Sequence, residues 1–235
     1  MIRCTVCQTE NDDFATSCIR CRGFLQNRIP NLNFFETLWR VLETPRKAFH
    51  DVTLAEHKNY AFLLFAFLGV SVAFTGLWYF RAGERFDSLL TLIAWGLVGG
   101  SVLGIVCGPL TALVHYGASW VLRGKTAFRN SLGIVAYSLT PVAVSLVFVL
   151  PIELMTFGIY LFTSNPPPYS IKPVSFVVLA GFDVVVTVWT IGLAIVGTTI
   201  ANRLTAFRAS CVVFVSLAAL VLPLWEAGQK LSGIR

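Results

Sequence analysis

The sequence predicts an all-α integral membrane protein with five transmembrane helices, preceded by interfacial helices and a small N-terminal zinc ribbon. Of its 235 residues, 56% are hydrophobic and 13% are charged, whereas soluble domains are roughly one quarter charged. The charges are also uneven, because residues 1–58 carry 15 of the 30 charged side chains. The basic residues beyond that head lie in short gaps between apolar runs, which indicates topology signals and no nucleic-acid partner.

Five apolar runs follow the head, at residues 59–80, 89–122, 132–162, 174–201 and 210–226. A membrane-crossing helix needs roughly 20 such residues, and each run except the last clearly exceeds that length. The second run contains Pro109, and the third contains Pro141 and Pro151, so we expect kinks or helices that extend beyond the bilayer. An alternative is that the third run splits at Pro151, leaving residues 152–162 as an interfacial or re-entrant segment.

The distribution of Lys and Arg predicts the orientation of these five helices. The head and the two loops on its side hold 13 of these residues, and the opposite side holds 5. Because the cytoplasmic side of membrane proteins is enriched in Lys and Arg, we expect a cytoplasmic head and an external C-terminus. We therefore predict a multi-pass protein of the cell membrane, in which the first crossing is expected to act as the targeting segment.

Four regions follow from these patterns: a zinc ribbon at 1–27, amphipathic interfacial helices with a linker at 28–58, the five-helix transmembrane domain at 59–226 and a C-terminal tail at 227–235. Within the second region, apolar side chains recur at helical spacing at Phe34, Phe35, Leu38, Trp39 and Leu42. Thr44 and Pro45 then predict the start of a second short helix. Both helices lie along the membrane surface or pack on the transmembrane bundle, and the sequence leaves both alternatives open.

Two Cys-x-x-Cys pairs in the head have the spacing of a zinc site, at Cys4, Cys7, Cys18 and Cys21. Four thiolates close a tetrahedral shell around one Zn²⁺, which makes the ion structural and leaves no position for a substrate. A disulfide requires an oxidising compartment, and a redox dithiol requires only one pair, so zinc is the preferred interpretation. The segment resembles short prokaryotic zinc ribbons, but Gln8 and Arg22 stand where glycine commonly follows each knuckle.

A glycine stripe marks the second apolar run, at Gly96, Gly100, Gly104 and Gly108. This spacing places the four glycines on one helix face, where another helix can approach closely. We expect that neighbour to be another helix of the bundle, with a homo-oligomer contact as the alternative. Cys107 and Cys211 have no partner nearby in sequence and are interpreted as small apolar side chains.

Glu153 and Asp183 are the only acidic residues within the apolar runs, apart from Glu226 at the end of the last run. A carboxylate in hydrocarbon is costly, so both side chains should face the bundle or a water-filled cavity in its outer half. They form an ion, proton or polar-headgroup site, or they are a hydrogen-bonded structural carboxylate and an interfacial glutamate. His115 lacks a second ligand four residues away, and no catalytic motif is evident, so the sequence predicts a protein that is not an enzyme.

Three segments carry a resemblance to a known family: Glu43-Thr-Pro-Arg-Lys-Ala-Phe49, Arg123-Gly-Lys-Thr-Ala-Phe128 and Ala136-Tyr-Ser-Leu-Thr-Pro141. Over residues 34–225 the chain resembles the Yip-one domain family of Ypt-interacting membrane proteins. The resemblance implies a five-helix domain with a cytoplasmic N-terminus and, in eukaryotic members, binding to small GTPases in vesicle traffic. It implies a fold better than a function, and it supplies no catalytic residues.

Two functional hypotheses follow from the sequence. In the first, the protein is a membrane scaffold or adaptor whose zinc head binds a cytoplasmic or membrane protein partner. In the second, it is a small permease or lipid-handling protein that uses Asp183, with Glu153, in a cavity beside the glycine-striped helix. An intramembrane enzyme would need a further polar group near these acids, and the sequence assigns none.

Overall fold

A computed structural model describes residues 1–27, 29–125 and 127–232. Arg28 of the predicted linker, Thr126 of the loop motif and residues 233–235 of the predicted tail lie outside this description. The described chain is mostly helical beyond residue 33, and it places a small head with four cysteines at one end of a helix bundle. We call that end of the bundle the ribbon side and the other end the far side.

The head is built around two very short strands, β1 (Ile2–Arg3) and β2 (Glu10–Asn11), which pair antiparallel. A further bridge joins Ser17 to Phe24. So few residues cannot bury an adequate hydrophobic core. The most buried apolar-type side chains of the head are the cysteines Cys4 and Cys18, so the cysteine cluster itself forms the centre of this unit.

Two short helices connect the head to the bundle, α1 (Phe34–Glu43) and α2 (Pro45–Leu54). The Asn33 side chain caps α1 by accepting a hydrogen bond from the Glu36 amide at 3.4 Å. Thr44 and Pro45 begin α2 as the sequence predicts, although the Thr44 hydroxyl donates to the Arg40 carbonyl of α1 and does not cap α2.

Five helices are long and apolar enough to cross a membrane: Ala61–Tyr79, Leu89–Val121, Phe128–Phe162, Pro173–Asn202 and Ala206–Lys230. The predicted number of crossings is therefore confirmed for the described residues. The first two crossings are α3 (Ala61–Tyr79) and α4 (Leu89–Val121), joined by a 3-10 turn at Ala82–Arg85. The last two are α8 (Pro173–Asn202) and α9 (Ala206–Ser232).

The third crossing is interrupted, but at a different proline from the one considered above. It consists of α5 (Phe128–Ser138) and α6 (Thr140–Phe157), followed by a 3-10 turn at Gly158–Phe162 and a four-residue helix α7 (Pro168–Ile171). The break at Leu139 places Pro141 in the first turn of α6, where a missing N–H costs nothing. Because α6 continues through Pro151, the proposed split at that residue is wrong.

The last helix also differs from its predicted bounds. α9 begins at Ala206 and continues to Ser232, so it includes six residues of the segment that the sequence assigned to a tail. The apolar run ends at Glu226, but a helix does not end where hydropathy falls. Residues 227–230 are exposed or half-buried, and they continue the helix beyond the apolar region.

The ribbon side of the bundle is closed by α2, which packs into the bundle as the second of the two alternatives describes. Phe49 and Val52 are fully buried, and a Cβ added at Gly197 of α8 would lie 2.9 Å from the Phe49 ring. α1 instead presents Phe35 and Trp39 outward, with 81% and 67% of their surfaces exposed. This outward apolar face is suited to the membrane surface.

The glycine stripe of α4 faces α3 of the same chain. An added Cβ at Gly104 would overlap the carbonyl oxygen of Phe65, and one at Gly100 would lie 2.7 Å from the Val70 Cα. An added Cβ at Gly96 would likewise lie 2.7 Å from the ring of Phe74. These glycines let the two helices meet backbone to backbone, as small residues do in membrane bundles.

Candidate functional site

The four head cysteines converge on one point. Their sulfur atoms all lie within 4.8 Å of one another, with Cys4 and Cys21 separated by 3.5 Å and Cys7 and Cys18 by 3.5 Å. A tetrahedral metal site with metal–sulfur bonds of about 2.3 Å requires sulfur atoms about 3.8 Å apart. The four cysteines could therefore hold one metal ion.

The backbone around each knuckle supports the same conclusion. The amides of Val6, Arg20 and Gly23 each donate to a cysteine sulfur at 3.4 Å, as second-shell donors do for thiolate ligands. Gln8 and Arg22 both adopt a left-handed backbone with φ of 56°. The two residues that depart from the usual glycine pattern therefore form the tight turns nevertheless, at a backbone cost of about 1 kcal/mol each.

The thiols of the cluster are electrostatically unequal. Hydrogen bonds with the Thr9 side chain and backbone lower the pKa of Cys7 to about 6. Although the Gly23 amide acts in the opposite direction, the sulfurs of Cys7 and Cys4 raise the pKa of Cys21 to about 12. The neighbouring sulfurs thus oppose ionisation of Cys21, and all four cysteines can be thiolates together only when a cation, such as a bound metal ion, balances their charge.

The head is docked on the ribbon side of the bundle through the loop that follows β2. The Arg203 guanidinium, at the end of α8, pairs with Asp12 and lies 3.8 Å from an oxygen of Asp13. It also lies 5.7 Å from the centre of the Phe14 ring, which in turn is 5.1 Å from the ring of His50 on α2. The head thus has a defined contact with the membrane domain.

Unlike the docked loop, the cysteine knuckles carry apolar side chains that are exposed. Val6 and Ile19, inside the two Cys-x-x-Cys pairs, are 74% and 78% exposed, and Phe24 is 66% exposed. We call these three residues the knuckle patch. A small head that leaves three apolar side chains exposed offers them to another surface.

The second site lies inside the bundle, where the structure brings Glu153 of α6 and Asp183 of α8 together. The two residues lie 30 positions apart in the sequence, yet both line the same cavity. Asp183 lies ten residues after Pro173, roughly 15 Å along α8 from its far-side end.

Both carboxyl groups line one cavity of about 450 Å³ between α3, α6 and α8. The cavity is partly open, and Asp183, which lines it, is an exposed residue. Among the described residues that line the cavity there is no Lys, Arg or His. Its walls include the aromatic side chains Phe74, Trp78, Phe157, Phe162 and Phe176.

Sequence reasoning missed a second polar group, which joins α4 to α8 towards the ribbon side. The His115 ring contacts the Thr198 hydroxyl at 2.9 Å, and the Asn202 amide donates to the Ser119 hydroxyl at 2.8 Å. All four side chains are buried. Their spacing was the available signal, since each helix contributes two polar residues four positions apart and therefore on one face.

These features define a multi-pass membrane protein with an N-terminal cluster of four cysteines that could hold a metal ion, and with two carboxyl groups in one cavity of its bundle. The Yip1 domain family matches residues 39–227, which is most of the chain. The protein therefore belongs to the Yip1 domain family, and the resemblance stated from its sequence is confirmed. No match was found among curated proteins or among solved structures.

Proposed function

We propose that this protein is a non-enzymatic membrane scaffold whose zinc-bound head recruits a protein partner. The observation that carries the proposal is the asymmetry of the head. One face is fixed to the membrane domain through Arg203 and Phe14, while the knuckle patch of Val6, Ile19 and Phe24 is exposed. A docked head with exposed apolar side chains is suited to binding another protein.

The ion in this proposal is Zn²⁺. Four cysteine ligands, with two-residue spacings within each pair, are typical of structural zinc sites in a reducing compartment. The excess of Lys and Arg on the ribbon side, which supports a cytoplasmic head in the cell membrane, is consistent with that compartment. Elemental analysis of the purified full-length protein should give one zinc per chain.

Site-specific photocrosslinking tests the partner. A photoreactive residue replaces Ile19 in the full-length protein, and crosslinked products from intact cells are identified by mass spectrometry. We expect one discrete protein adduct, which is lost when Cys18 and Cys21 are replaced by serine. The matched control places the same photoreactive residue at Phe207, which is 79% exposed but lies in the first turn of α9 within the bundle.

Three results would contradict this proposal. Adducts with lipid alone would make the knuckle patch a membrane contact, and an adduct that survives loss of the cysteines would show that the folded head is not the binding element. An equal yield of the same protein adduct from the Phe207 position would also remove the case for a specific head surface.

A second candidate function, a small permease or lipid-handling protein, is supported by the cavity that contains Glu153 and Asp183. Asp183→Asn separates the two candidates, because it removes the charge while keeping the side-chain shape. If the protein is a scaffold, the Asp183→Asn variant keeps the Ile19 adduct and leaves membrane lipid composition as it is with the wild type. If the protein acts through the carboxylate, the variant keeps the adduct, but the lipid composition becomes that of cells without the protein.

A further inference from the structure

The cavity between α3, α6 and α8 has an unbalanced set of polar groups. It is lined by two carboxyl groups, and the described lining residues include no cationic side chain. At membrane depth, acidic groups are retained where they contact an opposite charge, a water-filled space or a ligand. Since the cavity is partly open, a cation can reach the two carboxyl groups.

The walls of the cavity indicate which kind of cation fits. Aromatic side chains from all three helices line the cavity together with the acids: Phe74 and Trp78 from α3, Phe157 from α6 and Phe176 from α8. A hydrated metal ion gains little from such walls, whereas an ammonium group with attached carbon is attracted to aromatic faces as well as to carboxylates. A volume of about 450 Å³ is also within the range of small-molecule sites.

A complementary charge lies at the far-side end of α3. The Arg81 guanidinium lies 5.3 Å from the centre of the Trp78 ring, and Trp78 lines the cavity. The Nη1 atom of Arg81 is buried and has no hydrogen-bond partner among the described residues. A guanidinium with an unused donor at a membrane boundary is suited to a phosphate group.

We propose that this cavity binds the headgroup of an aminophospholipid. The lipid ammonium contacts Glu153 and Asp183 between the aromatic walls, and its phosphate contacts Arg81 near the far-side end of the bundle. Because the cavity is only partly enclosed, the acyl chains of the bound lipid stay outside it, in the bilayer. This inference does not depend on the scaffold proposal. It deepens the second candidate function by naming a ligand, but it claims binding only and no transport.

Native mass spectrometry of the full-length protein tests this proposal. The protein is incubated with phosphatidylethanolamine, with N-acetyl phosphatidylethanolamine of the same acyl chains, or with phosphatidylglycerol. We expect phosphatidylethanolamine to be retained about tenfold or more over the N-acetyl lipid, because acetylation removes the charge that the carboxyl pair recognises. Hexylamine provides a free ammonium group without a phosphate.

Three substitutions locate the site. Asp183→Asn and Glu153→Gln should abolish the preference for the charged lipid and also the binding of hexylamine. Arg81→Gln should weaken lipid retention but leave hexylamine binding unchanged, which distinguishes a lipid headgroup from a free amine. The matched control is Glu226→Gln, an exposed carboxyl on α9 outside the cavity lining, which should change neither.

Equal retention of the charged and acetylated lipids by the wild-type protein would overturn the inference, and this comparison needs no variant. Hexylamine binding without any lipid preference would retain the ammonium site but overturn the assignment to a phospholipid. Formation of a dimer that excludes both ligands and protects the Asp183 region would show that a second copy covers the cavity, which would also overturn it.

Discussion

The head and the α3–α4 pair are stabilised in opposite ways. In the head, two-residue strands lie beside a cluster of four sulfur atoms, and little apolar packing exists apart from that cluster. In the α3–α4 pair, no polar group is needed, because Gly100 and Gly104 let the two backbones touch. The comparison predicts that this chain contains one unit that depends on a metal ion and one that depends on helix packing, with separable stabilities.

The comparison is tested most strongly by removing two of the cysteines. With Cys18 and Cys21 replaced by serine, the head should lose its metal and unfold, because metal binding supplies about 10–16 kcal/mol to such units. Zinc content and hydrogen exchange of residues 1–27 measure this effect. The control, Cys211→Ala, changes a thiol of α9 that lies outside the cluster and should leave zinc at one per chain.

The corresponding test of the bundle is Gly104→Ala. The added methyl group would overlap the Phe65 backbone, so the helices must separate, at a cost of about 3 kcal/mol. Thermal unfolding in detergent measures the loss, while the zinc content of the head should not change. Gly117→Ala is the matched control on the same helix, because no atom lies within 4 Å of its added Cβ. Equal destabilisation by both variants would contradict the close packing.

A smaller effect is expected where the two units meet. Arg203→Asn removes the ion pair with Asp12 and the contact with the Phe14 ring while keeping a residue that tolerates a left-handed backbone. The expected loss is about 1–2 kcal/mol of docking free energy. Distance distributions between spin labels on the head and on α2 should broaden, and Arg208→Gln, an exposed arginine of α9, should leave them unchanged.

The smallest effect is a gain. Arg22→Gly relieves a left-handed φ of 56° after the second knuckle, so the zinc affinity of the head should rise by about 1 kcal/mol, or roughly fivefold. Competition with a zinc chelator measures this change. The same substitution at Arg20, which has no such backbone angle, should give no gain. A loss of affinity in Arg22→Gly would show that its side chain matters more than its backbone.

The features that depend on local pattern were predictable from the sequence. The five crossings follow from hydropathy, and the metal cluster follows from the spacing of Cys4, Cys7, Cys18 and Cys21. Glu153 and Asp183 were also identifiable one at a time, since each is a charge in an apolar run. These signals are properties of single segments, so no knowledge of how helices pack was needed.

The remaining features depend on which segments meet. The carboxyl pair joins residues 30 positions apart on two helices, and the His115–Thr198 contact joins residues 83 positions apart. Hydropathy also could not show that the third crossing breaks at Leu139, because a proline one residue into a new helix and a proline within a continuous helix look alike in sequence. Tertiary packing decided each of these cases.

Hydrogen exchange on the full-length protein, with and without a zinc chelator, tests the central claim that the head depends on its metal and the bundle does not. We expect the chelator to remove amide protection throughout the head while protection in α3 and α4 stays unchanged. Retained protection in the metal-free head, or a parallel loss in α3 and α4, would contradict the claim.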